Sequence, residues 1–159
     1  MNTFALLTQQ ISEKNLAGHI HHFSRLLAYL SEHRWATDGY PDLRSSHVQL
    51  LRNLDPTGTR ASILAERAQV TKQTMGRLVK ELFTSGYVGL EPDATDNRAQ
   101  LVRLTPRGEG FLSYLASTLV DLERAFGNVL GPPRLAEFTA CLHELTAFAE
   151  ARRQTIASF

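Results

Sequence analysis

Several features that would each define a function are scarce or missing in this chain. Among its 159 residues there is one cysteine, Cys141, so no internal disulfide can form. That fits a reducing compartment, and the expected location is cytoplasmic. No apolar run approaches the ~20 residues needed to cross a bilayer. Residues 1–10 carry neither a basic leader nor a cleavage-like site, so no signal peptide is expected. No nucleophile motif, phosphate loop or paired-carboxylate constellation occurs, and neither an enzymatic activity nor a cofactor is expected. The six histidines include His19, His21, His22 and His33 near the start, but no Cys-x-x-Cys or His-x3-His pair accompanies them. They read as the polar face of a helix rather than a metal site.

What is present is an ordinary globular composition, 43% apolar and 21% charged, with an uneven charge distribution. The formal net charge is only +1. Between Arg60 and Arg107, however, eight Lys/Arg face five acids, a local net of +3, while the rest of the chain has nine bases against eleven acids. Positive charge therefore gathers in one segment, as contact with a polyanion requires.

Apolar spacing divides the chain into three parts, expected as residues 1–42, 43–105 and 106–159. In the first, Leu16, Ile20, Phe23, Leu27 and Leu30 step by 4, 3, 4, 3 along a helix expected from about Thr3 to Arg34, with a break or bend near Asn15 and Gly18. Turn residues follow from Trp35 to Pro41. In the second, Ser45 or Ser46 is a candidate cap for a helix bearing Val48, Leu51 and Leu54, and Asp55-Pro-Thr-Gly marks a turn. Ser62 to Ala68 reads as a short helix with Ile63, Leu64 and Ala68 inward. Thr71 caps the next helix, whose core stripe is Met75, Leu78, Val79, Leu82 and Phe83, and Gly86 ends it. Tyr87 to Glu91 and Gln100 to Leu104 read as two strands around a polar turn. In the third, Pro106 suits the first turn of a helix capped by Thr105. Leu112, Leu115, Leu119, Leu122, Phe126 and Val129 form one seam. After Gly131-Pro-Pro a second seam holds Leu135, Phe138, Leu142, Leu145 and Ala149, with Cys141 beside it as buried filler.

Helix, strand, charged turn, strand is the plan of a winged helix-turn-helix, which places one helix in a DNA major groove and a loop in the flanking minor groove. The expected fold is mainly α with a small β-hairpin wing, a winged helix-turn-helix core and an intertwined helical dimerisation region. Three seamed helices exceed what a small winged domain can cover, and a second copy of the chain is the economical partner.

The segment Asp96-Asn-Arg98-Ala-Gln-Leu-Val-Arg-Leu104-Thr105, followed by Pro106 and Gly108, resembles the wing of the MarR family of bacterial transcriptional regulators, with its Asp-x-Arg-x5-Leu-Thr pattern. The resemblance implies an obligate, triangular homodimer on a pseudo-palindromic operator, with Thr71 to Ser85 as recognition helix and Arg98 in the minor groove. It also implies repression of nearby genes, relieved by a small effector. Gly89-Leu90 stands where relatives often have an arginine, and Asn97 where a basic residue often precedes the wing arginine, so this wing is less cationic than usual.

The DNA-contact candidates are Thr71, Lys72, Gln73, Thr74, Arg77, Lys80, Asp96 and Arg98. Glutamine can read adenine, arginine can read guanine, and lysine binds phosphate. Opposed to this stands a merely solvated helix face, with Arg98 as a structural partner for Asp96. Trp35, Tyr40 and His47 fall where relatives hold effectors and suit a small aromatic or amphipathic ligand, or else are ordinary hinge packing. A winged-helix protein-interaction module and a metal-dependent sensor of the same fold are the alternative functions.

Overall fold

The computed structural model describes residues 15–157. The stretch of the first expected helix before Asn15 lies outside the described residues. Asn15 is a cap rather than a bend: its side-chain oxygen accepts the Gly18 N–H at 2.8 Å and opens helix α1 (Leu16–Thr37). The helix runs three residues past Arg34, taking in Trp35, and the Asp38 N–H closes on the Arg34 carbonyl. Trp35 is the one residue of α1 that is buried.

Helix α2 (Ser45–Leu51) is capped by Arg44 and not by either serine. The Ser45 hydroxyl and N–H both donate to Glu32 Oε1, each at 2.7 Å, so this serine ties α2 to α1 instead. Leu54, expected on this helix, lies beyond its end and is half-buried. The Asp55–Gly58 turn feeds strand β1 (Thr59–Arg60), too short to read from sequence, and then helix α3 (Ala61–Ala68). Leu64, Ala65 and Ala68 are buried, but Ile63 lies a step round the helix and is 40% exposed.

Thr71 caps helix α4 (Lys72–Thr84) as expected, its hydroxyl oxygen accepting the Thr74 N–H at 3.1 Å. Met75, Leu78, Val79 and Leu82 are buried against the lobe. Phe83 is not; at 100° beyond Leu82 it leaves the core stripe and is 51% exposed. Gly86, with φ of 75°, turns the chain into the sheet. Strands β2 (Val88–Asp93) and β3 (Asp96–Leu104) pair antiparallel, Val88 opposite Leu104 and Leu90 opposite Val102, and β1 joins the far edge of β3 in the order β1-β3-β2. The hairpin is longer than expected. Its turn is Ala94-Thr95 alone, so Asp96 and Arg98 lie in a strand and not in a loop.

Helix α5 (Pro106–Leu130) and helix α6 (Pro132–Ala157) follow, separated by Gly131. The Thr105 hydroxyl caps α5, accepting the Gly108 N–H at 3.2 Å. The chain divides into two compact units, one ending at Leu112 and one beginning at Ser113, so the first turns of α5 belong with the winged lobe. The first unit holds nearly the whole core, with Leu50, Leu51, Leu64, Met75, Leu82, Tyr87, Val88, Val102 and Phe111 fully enclosed. Among the described residues of α6 none is buried. Cys141, expected as buried filler, is exposed, as are Phe138, Leu142 and Leu145 of the same seam.

Candidate nucleic-acid interface

Helices α3 and α4 meet through a turn in which Gln69 adopts the left-handed conformation, φ 56°. With one face of α4 committed to the core, the other presents Lys72, Gln73, Gly76, Arg77 and Lys80, all exposed. Thr71 and Thr74 belong to the cap: their hydroxyls are 2.9 Å apart, and Thr74 is half-buried. Gly76 leaves a gap, since a Cβ there would meet nothing within 4 Å. Together with Val79, Lys80 and Phe83 it borders a cavity of about 260 Å³ against Leu90 and Gln100 of the hairpin. The sequence pattern did not foretell this cavity.

Arg77 is not free. Its Nη1 donates to Glu81 Oε1 at 3.0 Å, and Glu81 Oε2 lies 2.8 Å from His47 Nε2. The other ring nitrogen of His47, Nδ1, accepts the Arg44 N–H at 3.3 Å. With Nδ1 accepting, Nε2 is the ring nitrogen that donates to Glu81. The His47 hydrogen bond is the main reason that the Glu81 carboxyl sits below its ordinary pKa, with the Arg77 and Arg44 charges adding attraction.

The wing is fastened by residues that sequence reasoning missed. Arg60 Nε donates to Asp93 Oδ2 at 2.6 Å, and its Nη2 reaches Thr95 Oγ1 at 3.2 Å. Asp93 Oδ1 accepts both the Thr95 N–H at 2.8 Å and the Thr95 hydroxyl at 2.7 Å. Arg60 first, then these Thr95 donors, hold the Asp93 carboxyl far below the usual carboxylate range. The Asp93-Ala-Thr95 spacing was a readable turn signal, but nothing local marks Arg60 as its partner. Asp96 Oδ1 accepts the Arg98 N–H at 3.1 Å, so it shapes the backbone and leaves the exposed Arg98 side chain out of that bond.

These pairings redistribute the charge counted in the sequence. Of the eight basic residues between Arg60 and Arg107, five are in ion pairs: Arg60, Arg67, Arg77, Arg103 and Arg107. Lys72, Lys80 and Arg98 are exposed and form no ion pair among the described residues. The positive charge open to a phosphate therefore sits on α4 and on the hairpin.

Two of the three effector candidates, Trp35 and Tyr40, meet on one ring, that of Phe111. Trp35 is 5% exposed and stands edge-on to Phe111, ring centres 5.6 Å apart. Tyr40 packs on the same Phe111 at 5.0 Å and on Tyr87 at 6.5 Å. Tyr87 donates its hydroxyl to Asp42 at 2.8 Å, beneath the Arg107 guanidinium. Burial, then that hydrogen bond, push the Tyr87 phenol up to about 12. His47 is buried too, but turned to Glu81.

Comparison with known proteins fits this geometry. Residues 43–108 match a family model described as a winged helix DNA-binding domain. Over 88% of the chain the fold superposes on 94% of the crystal structure of MarR, with a TM-score of 0.74 and 22% identity. In fold, the chain is similar to MarR. FabT from Streptococcus pneumoniae, solved in complex with DNA, matches over 86% of this chain and 96% of its own, with a TM-score of 0.74 and 14% identity. The transcriptional activatory protein BadR of Rhodopseudomonas palustris is 30% identical over 82 residues, 52% of this chain. The match spans about half of that relative, 46% of its length. Among the described residues no three His, Cys, Asp or Glu converge as metal ligands, and no helix is long and apolar enough to cross a membrane.

Proposed function

We propose that this chain is a dimeric, DNA-binding transcriptional regulator. One observation carries the reading: α4 buries one face in the lobe and exposes Lys72, Gln73, Arg77 and Lys80 on the other, and a hairpin bearing Arg98 follows it. In the reading, α4 enters the major groove and the hairpin tip reaches the minor groove, where Arg98 meets the negative potential of a narrow A·T-rich stretch. Thr71 and Thr74 hold the first turn of α4 against a phosphate, and Asp96 sets the direction of Arg98. That a similar fold, FabT, was solved on DNA supports this assignment.

The dimer rests on the exposed apolar residues of the long helices. Ile20, Phe23 and Leu30 on α1 and Leu119, Val129, Phe138, Leu142 and Leu145 on α5 and α6 are all more than one-third exposed on a single chain. Residues 1–42 and 106–159 are accordingly assigned to dimerisation and 43–105 to the DNA-binding lobe. A two-fold dimer presents two recognition helices to half-sites about one helical turn apart, ~10 bp. Repression of nearby genes, relieved by a small aromatic or amphipathic effector, is the mode of control proposed. Whether binding lowers or raises transcription depends on where the site lies relative to the promoter, and the BadR relative is named an activator.

The test is selection of DNA from a randomised duplex library, followed by affinity measurements at two salt concentrations. Arg77→Ala is expected to cost ~1–3 kcal/mol and to relax one base position. Lys80→Ala should weaken all duplexes alike and flatten the salt dependence. Arg98→Ala should erase preference for A·T-rich flanks. If the folded dimer selects no sequence and neither arginine matters, the lobe is a protein-interaction module.

A further inference from the structure

The one arginine on the exposed face of α4 is held by a carboxylate that is itself held. Glu81 stands one turn after Arg77 and takes its guanidinium at 3.0 Å through Oε1. Its second oxygen accepts from His47 at 2.8 Å, and His47 is only 2% exposed, its far nitrogen fixed by the Arg44 N–H. Three links thus run from the start of α2 to the reading face of α4, and each uses a specific hydrogen-bonding atom.

An arginine alone on a helix surface samples many rotamers, and each reaches a different base or phosphate. Fixing Nη1 on Glu81 removes most of them and leaves the remaining donors of the planar fork pointing outward in one direction. A fork so fixed can meet the two acceptors on the major-groove edge of guanine, and reaches a phosphate off that direction poorly. The Glu81 charge also works against the duplex. It offsets the Arg77 charge locally, so the face gains less from phosphates of any sequence. We propose that Glu81 is a positioning residue for Arg77 that sets how sharply this helix discriminates between bases, with His47 as the anchor of the carboxylate.

This rests on the DNA-binding reading above, and the experiment separates the two. The probe is a duplex selected by the wild-type protein from a randomised library, compared with its scrambled counterpart. Glu81→Gln keeps an oxygen for His47 and turns an amide N–H₂ toward Arg77, so it breaks the link to Arg77 and spares the link to His47. The affinity ratio between selected and scrambled duplex should fall about fivefold or more, a loss comparable to one base contact, with scrambled binding equal or tighter. In an Arg77→Ala background the same change should alter the ratio less than about twofold, because Glu81 acts through Arg77. If Glu81→Gln does not fold, Glu81→Asp, one methylene too short to span both partners, carries the same expectation. An unchanged ratio in a folded variant overturns the proposal. So does an equal loss with and without Arg77, which would mean that Glu81 acts only by supporting α2. A wild-type protein that distinguishes no duplex removes the DNA reading and the proposal with it.

Discussion

The winged lobe and helix α6 both carry apolar residues at helical spacing, and these have opposite fates. Along α4 the apolar residues recur at helical spacing and four of them, Met75, Leu78, Val79 and Leu82, are buried. Along α6, Leu135, Phe138, Leu142 and Leu145 recur just as regularly, and none of them is buried on this chain. A periodic stripe therefore states that a surface wants covering without stating what covers it. Within the lobe the cover is sheet and neighbouring helix. For α6 we assign it to a second copy.

The largest expected effect comes from charging the uncovered stripe. The double variant Phe138→Glu, Leu142→Glu should turn a dimer of about twice 17.8 kDa into a 17.8 kDa monomer in sedimentation at micromolar concentration. Burying unpaired carboxylates in an apolar seam costs several kcal/mol per copy. If the variant sediments like the wild type, the stripe is not the interface, and the contrast with the lobe needs another cause.

Next comes the lobe itself. Leu64 is fully enclosed, so Leu64→Ala should lower stability by about 2–5 kcal/mol in denaturant unfolding. Val129→Ala, at a position 79% exposed, should change the unfolding of a monomeric variant by no more than about 0.5 kcal/mol. Equal losses would show that the end of α5 is covered within the chain.

A smaller effect concerns how the wing is held. Because the folded Asp93 carboxyl titrates well below the unfolded one, it stabilises the lobe above the ordinary carboxylate range and ceases to do so as pH falls below ~4. The wild-type unfolding midpoint should drop more steeply there than that of Asp93→Asn. Parallel profiles would mean that Arg60 does not fasten the hairpin.

The smallest effect is at Gly76. A Cβ there meets open space, so Gly76→Ala should stabilise α4 by about 1 kcal/mol. A drop in DNA affinity despite this gain would indicate that the duplex approaches the helix backbone closely at that point.

What was legible in the sequence follows from range. The α4 cap at Thr71, its buried stripe and the glycine at its end are local patterns, and each was found where expected. Phe83 and Ile63 failed because a stripe has an edge, and which residue falls outside it depends on the neighbouring element. The ties that position the candidate site are not local. Arg60 reaches Asp93 across 33 positions and His47 reaches Glu81 across 34, and no periodicity connects residues so far apart. Ser45 looked like a cap because serine usually is one, but Glu32 on α1 competes for its hydroxyl and wins.

Gly108, two residues into α5, has a consequence for inheritance. A Cβ at this position would collide with the carbonyl oxygen of Tyr87, which the Thr105 N–H already engages, and it would press on the Leu104 side chain as well. Backbone cannot yield as a flexible side chain can, so even alanine must lift the first turn of α5 off the base of the hairpin. In a library containing every substitution at every position, this column should come back empty except for glycine. Its neighbours Arg107 and Glu109, both exposed, should tolerate far more.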